Sequence, residues 1–208
     1  MELILIRHGE STGNAARRAA LRAGAEVIDV PERDPDVPLS PHGREQAESL
    51  GRFLAGLEPP ELVVSSPYAR ALETVRLATG RADVRLDERL RDRDMGVFER
   101  LTPAGIRARF PEEWRRQREL GKFYFRPPGG ESWADIALRL RSFLRDLPAG
   151  GRVLVSTHDA VILVFAYLLE GLSEAELMEL ERTRLANCSV SLWRDGERLV
   201  FNEVSHLE

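Results

Sequence analysis

Short β-rich apolar runs alternate with helix-patterned stretches along almost the whole chain, and this alternation restricts the fold more than any other feature. Leu3–Arg7 is the first run, and Gly9 and Gly13 after it read as a turn. Pro41–Leu57 reads as a helix, with Ser40 as N-cap and Ala47, Leu50, Phe53, Leu54 and Leu57 at helical spacing. Leu62–Ser65 is a second strand, and Pro67 opens a helix that continues from Tyr68 to Ala78. Val84 and Leu86 mark a short third strand. Thr102–Arg109 and Pro111–Leu120 are arginine-rich helices, and Ser132–Leu147 is an amphipathic one. Val153–Ser156 is a fourth strand and Ala160–Leu169 a buried helix, while Ser173 and Glu176 give Ser173–Leu180 a capping-box start. Ser189–Trp193 and Leu199–Val204 flank Asp195–Gly196, a hairpin signal. Strands separated by helices call for parallel crossovers. The order therefore predicts one α/β domain over 1–208, three layers deep, with a largely parallel central sheet and helices on both faces. Val27–Pro38 and the aromatic stretch Gly121–Gly130 are left as long irregular pieces, of the size that often carries function.

Composition removes several classes of function. A net charge of −4 excludes a global basic footprint, so no nucleic-acid partner is expected. The single cysteine, Cys188, excludes an internal disulfide and a Cys-rich zinc site. The apolar run before Arg7 is too short for a signal peptide, and Ala160–Leu169 is too short to span a bilayer. A cytoplasmic protein without a membrane partner is the expectation. Of the 30 cationic residues, 29 are arginine. GC-rich codon usage accounts for that bias; selection for bidentate anion binding is the sharper alternative.

Ligands of open α/β sheets bind at the carboxyl ends of strands. There the sequence places Arg7-His8 after the first strand, Ser65-Ser66-Pro67 with Arg70 after the second, and His158-Asp159 after the fourth. Two arginines and two histidines at strand ends define an anion pocket, because guanidinium forks match phosphate oxygens. Asn14 could donate to the same oxygens. A neutral histidine there can attack phosphorus, and the leaving oxygen then needs a carboxylic acid nearby. The arginines neutralise the charge, so neither metal nor cofactor is called for.

The chain resembles the histidine phosphatase superfamily, also called phosphoglycerate mutase-like. The likeness rests on Arg7-His8-Gly9-Glu10-Ser11 with Asn14, Pro38-Leu39-Ser40 with Gly43 to Ala47, and Ser65-Ser66-Pro67 with Arg70, Ala71 and Thr74. It continues through Leu90 to Gly96, Gly130-Glu131-Ser132 and Ser156-Thr157-His158. The resemblance implies that His8 is the phosphorylated nucleophile and that Arg7, Arg70 and His158 bind the phosphoryl group, with Asn14 assisting. It places the proton donor at Asp92, where a glutamate is usual, with Asp159 as the alternative donor; a charge in the first turn of a helix also explains Asp159. Ser11, Tyr124 and Arg126 are further candidates for substrate contact. The implied ligand is a small phosphorylated metabolite, with phosphate or sulfate also fitting the pocket.

Other readings compete. Gly9-Glu10-Ser11-Thr12-Gly13 matches the G-x-S-x-G elbow of acyl hydrolases, but no oxyanion loop accompanies it. Asp92-Arg93-Asp94 lacks a third metal ligand. His42, His206 and Glu10 read as structural. Mutases of the family carry a tryptophan before the asparagine, where this chain has Gly13, and a paired arginine stretch whose nearest counterpart is Arg115–Arg116. Hydrolysis is preferred to mutase transfer, and a phosphate-binding pseudoenzyme is the remaining alternative.

Overall fold

The computed structural model describes residues 1–207. A six-stranded sheet runs in the order β3-β2-β4-β1-β5-β6, where β1 is Glu2–Arg7, β2 Leu62–Ser65, β3 Arg85–Leu86, β4 Arg152–Thr157, β5 Val190–Arg194 and β6 Glu197–Glu203. β1, β2, β3 and β4 pair in parallel, and β5 and β6 close one side as an antiparallel hairpin. The sheet is therefore mixed at that side and parallel elsewhere, the single α/β domain the alternation predicts.

Both faces of the central strands are buried, which is why their sequences are almost continuously apolar. Side chains alternate across a strand. Leu3, Leu5, Val153 and Val155 enter one core with Ile136, Leu140 and Phe143 of helix α6 (Trp133–Arg145) and Ile162 and Phe165 of α7 (Asp159–Glu170). Ile4, Ile6 and Leu154 enter the opposite core with Leu50 of α2 (Pro41–Leu54) and Val75 of α3 (Ala69–Thr79). No helix among the described residues is long and apolar enough to cross a membrane.

Three expectations need correction. Gly13 does not belong to a turn: it lies inside α1, Thr12–Arg22, which Ser11 caps through a capping box with Asn14. The run Ala-Ala-Arg-Arg-Ala-Ala in α1 has good helix propensity, but its apolar face is too small to be read from periodicity. Gly121 does not end the arginine-rich helix, because α5 (Pro111–Tyr124, after α4 at Pro103–Arg109) resumes beyond a kink where Gly121 has φ 75°. Pro67 and Tyr68 stand before α3 rather than in its first turn. The last helix, α8 (Glu174–Leu180), has the expected Ser173 capping box.

The turn after β1 is packed backbone to backbone against α2. A Cβ on Gly43 would stand 2.0 Å from the Glu10 carbonyl oxygen, and one on Gly9 would stand 2.5 Å from the Gly43 carbonyl oxygen. Gly43→Ala is expected to destabilise the fold by about 1–3 kcal/mol through overpacking, read as a lower denaturant midpoint. An unchanged midpoint would show that this contact yields easily.

Candidate active site

β1 and β4 end side by side, and the ladder continues one residue further: the His8 amide donates to the Thr157 carbonyl at 3.0 Å. That pairing delivers His8 and His158 to one point, with ring centroids 5.1 Å apart and an interplanar angle of 61°. Both rings are buried, His8 to 3% and His158 to 0% exposure. His8 Nδ1 lies 2.7 Å from the Gly9 carbonyl oxygen. A carbonyl only accepts, so Nδ1 carries the proton and Nε2 keeps its lone pair. Burial pushes the His8 imidazole well below its usual range, and the positive charges of Arg70, His158 and Arg7 push the same way.

His158 is held by Ser66, a residue that the sequence places in a motif at the end of the second strand without indicating a role for it. His158 Nε2 lies 2.9 Å from Ser66 Oγ, which also accepts the Tyr68 amide at 3.3 Å. The ionised Asp92 carboxylate that faces the other ring nitrogen can only accept, which favours the His158 proton on Nδ1 and leaves Nε2 to accept from the Ser66 hydroxyl. Nδ1 is 3.3 Å from Asp92 Oδ2, close enough for attraction but out of line for a hydrogen bond. Burial lowers the His158 pKa, and Asp92 opposes it only in part.

Arg7 comes from the end of β1. One of its terminal nitrogens donates to the Leu185 carbonyl, and the other lies 3.3 Å from Asp159 Oδ2. Its buried Nε has no hydrogen-bond partner among the described residues, as is also true of His158 Nδ1. Arg70, buried in the first turn of α3, donates to the Asp34 carbonyl at 2.6 Å and to Asp92 Oδ2 at 3.1 Å. Thr74, one turn on, accepts the Gly9 amide at 2.9 Å and donates to the Arg70 carbonyl at 2.6 Å, so it ties Arg70 to the His8 turn.

Asp92 sits on the loop between a 3-10 turn, Glu88–Leu90, and Gly96. Arg93 fastens this loop by donating to the carbonyls of Glu131 at 2.7 Å and Phe125 at 3.1 Å. Thr157 Oγ1 donates to the Leu90 carbonyl at 2.7 Å, which joins the loop to β4. Burial works to raise the Asp92 carboxyl, but attraction to His158 and the Arg70 guanidinium outweighs it. The group is held well below the usual carboxylate range.

The chain thus brings together His8, His158, Arg7, Arg70 and Asp92. Asn14 stands beside them: its Oδ1 accepts from the Ser11 amide at 3.1 Å and Asn187 Nδ2 at 3.2 Å, which leaves its own amide as a donor. Asn187 also donates to the His8 carbonyl at 2.9 Å, a support that a lone asparagine before Cys188 did not advertise. Ser11 is engaged as a cap, accepting the Asn14 amide at 3.0 Å. Asp159 accepts its neighbour Ala160's amide at 2.7 Å in the first turn of α7 and is half-exposed.

Tyr124 and Arg126 are not drawn into this group. The Tyr124 hydroxyl bonds Glu174 near the start of α8, and Arg126 pairs with Asp135 in the first turn of α6. The rest of the aromatic stretch is packed away, with Phe123 and Phe125 buried in two different cores. Glu10 is structural as expected, bonding Ser40 at 2.7 Å and Arg18.

Comparison with known proteins bears on the family and the fold. The family model described as histidine phosphatase superfamily (branch 1) matches residues 3–201. The protein described as "probable phosphoglycerate mutase GpmB" of Salmonella paratyphi C is 32% identical over 197 residues, 92% of this chain and 83% of its own. Mycobacterial glucosyl-3-phosphoglycerate phosphatase, solved with inorganic phosphate, superposes with a TM-score of 0.75 at 27% identity over 100% of this chain and 99% of that one. Bacillus stearothermophilus YhfR gives a TM-score of 0.76, also at 27% identity and over 100% and 99% of the two chains. The paired strand-end histidines, the two arginines and these matches lead to one conclusion: the chain belongs to the histidine phosphatase superfamily.

Proposed function

We propose that this chain hydrolyses monoesters of a small phosphorylated metabolite through a phosphohistidine on His8. The superfamily makes it a phosphoryl-transfer protein; the carrying observation for the finer reading is the His8 ring, buried, neutral and oriented by the Gly9 carbonyl with Nε2 free. In this reading Nε2 attacks phosphorus as the ester P–O bond breaks. Arg7, Arg70, the proton-bearing His158 Nδ1 and Asn14 donate to the phosphoryl oxygens as their charge develops. The leaving oxygen takes a proton from Asp92. The resulting carboxylate then takes a proton from water, whose oxygen attacks phosphorus, breaks the P–N bond and releases inorganic phosphate. Hydrolysis is favoured over mutase transfer by Gly13 in place of tryptophan, and by Arg116, which pairs at 2.8 Å with Glu113 of its own helix.

Two guanidinium groups do the charge neutralisation, so excess EDTA is expected to leave p-nitrophenyl phosphate turnover unchanged. Rapid quenching should trap a base-stable, acid-labile phosphoenzyme, with inorganic phosphate released in proportion to ester consumed. A chelator-dependent loss restored by magnesium or zinc, or isomerisation without phosphate release, would reject the reading.

A further inference from the structure

We infer that Asp34 sets the leaving-group specificity of this site, turning it against phosphomonoesters that carry a second anionic group and toward uncharged leaving groups bearing hydroxyls. The inference rests on the phosphomonoesterase reading and names its substrate class. Asp34 belongs to the irregular segment after α1, in a short 3-10 turn spanning Asp34–Asp36. That segment is anchored from outside the site: Thr102 Oγ1 donates to the Ala25 carbonyl at 2.7 Å, and Arg100 donates to the Glu32 carbonyl at 2.6 Å. Anchored so, it delivers the Asp34 carboxylate to within 3.1 Å of Arg70 Nη1. The carboxylate keeps 39% of its side-chain exposure and so faces open space rather than the core.

Arg70 Nη2 donates to Asp92 Oδ2 at 3.1 Å and to Asp34 Oδ2 at 3.4 Å, and the Tyr68 ring lies beneath the guanidinium at 5.0 Å and 5.3 Å from His158. A leaving group extending from a phosphoryl group at the two histidines therefore passes Asp34, Tyr68 and Asp92. Burial raises the Tyr68 hydroxyl's pKa, and Asp34 and Asp92 raise it further, consistent with a phenol held between two carboxylates.

The charge balance is adverse to a further anion. Arg7 and Arg70 face three carboxylates, those of Asp159, Asp34 and Asp92. The arginines on the adjoining segments already have partners: Arg33 pairs with Asp36 and Arg91 with Glu131. A carboxylate on the substrate would thus meet the Asp34 carboxylate beside arginines that are already paired, whereas a substrate hydroxyl can donate to Asp34.

The test compares kcat/KM for glycerol 3-phosphate and 3-phosphoglycerate, which share a three-carbon skeleton and differ by a hydroxymethyl group against a carboxylate. The wild-type chain is expected to favour glycerol 3-phosphate by about tenfold or more, the effect of one like charge in a partly screened cleft. Asp34→Asn should reduce that preference by about tenfold, and Asp34→Glu should preserve it. Taking a ratio cancels any uniform effect on phosphate binding, and p-nitrophenyl phosphate turnover checks that each variant is folded. Equal use of the two esters by the wild-type chain, or a preference that survives Asp34→Asn, overturns the inference while leaving the phosphatase reading intact. Failure of the wild-type chain to release phosphate from any of the three esters overturns both.

Discussion

His8→Ala is expected to lower phosphomonoester turnover by on the order of 10⁴-fold and to abolish the phosphoenzyme. The size follows from the role, since no neighbouring group offers an equivalent nucleophile: His158 Nε2 is occupied by Ser66 at 2.9 Å, and Cys188 is buried with its thiol pushed up to about 12 by burial. The variant should fold, because what His8 gives the backbone, its amide bond to the Thr157 carbonyl, survives the substitution. Ser11→Ala supplies the contrast. It removes an N-cap, so it should cost about 1 kcal/mol of stability and only modest activity. If Ser11→Ala is instead the inactive variant and carboxylic esters are the substrates, the acyl-hydrolase elbow is the correct reading.

Asp92→Asn is expected to slow hydrolysis of alkyl phosphates by roughly 10²–10³-fold while sparing p-nitrophenyl phosphate to within a small factor. An alkoxide needs a proton in the transition state; p-nitrophenolate leaves almost without one. The pH dependence follows from the same group. In the free chain the Asp92 carboxyl lies well below its ordinary value, so it is ionised at neutral pH. A bound phosphate dianion opposes that ionisation and raises the pKa. Proton uptake therefore accompanies binding, and alkyl phosphate turnover should fall as pH rises out of the mildly acidic range. Asp92→Asn should flatten that limb. Asp159→Asn should act mildly and equally on both esters, because Asp159 touches Arg7 and its own helix start. A leaving-group-dependent loss in Asp159→Asn but not in Asp92→Asn would transfer the donor role to Asp159.

The sheet and the meeting of the two histidines were legible because they follow from local rules. Four short apolar runs, each followed by a glycine, proline or helix start, define parallel strands, and residues just past their ends must converge. What stayed hidden depends on which hydrogen-bond partner a side chain selects. Ser66 looks like one of several serines until Tyr68 and His158 are seen to converge on its hydroxyl. Asp34 reads as one acidic residue in a Pro- and Asp-rich loop, and only the fold brings it to Arg70, 36 positions away. Tyr124 and Arg126 were expected at the substrate because aromatic and cationic residues in a loop often line pockets. Here acidic residues at helix starts, Glu174 and Asp135, capture them.

The central position of β1 has a consequence in time. β1 is the first strand to be synthesised, yet its two sheet neighbours are β4, which begins at Arg152, and β5, which begins at Val190. Arg7 and His8 are also completed by late residues, through the Leu185 carbonyl and Asn187. A ribosome adding about 5–20 residues per second would take roughly 10–40 s to supply those partners. Until Arg152 and the residues after it are made, His8 follows a strand with no ladder to join. A nascent chain that has not reached Leu185 therefore holds Arg7 and His8 in sequence without the carbonyl and the side-chain amide that fix them.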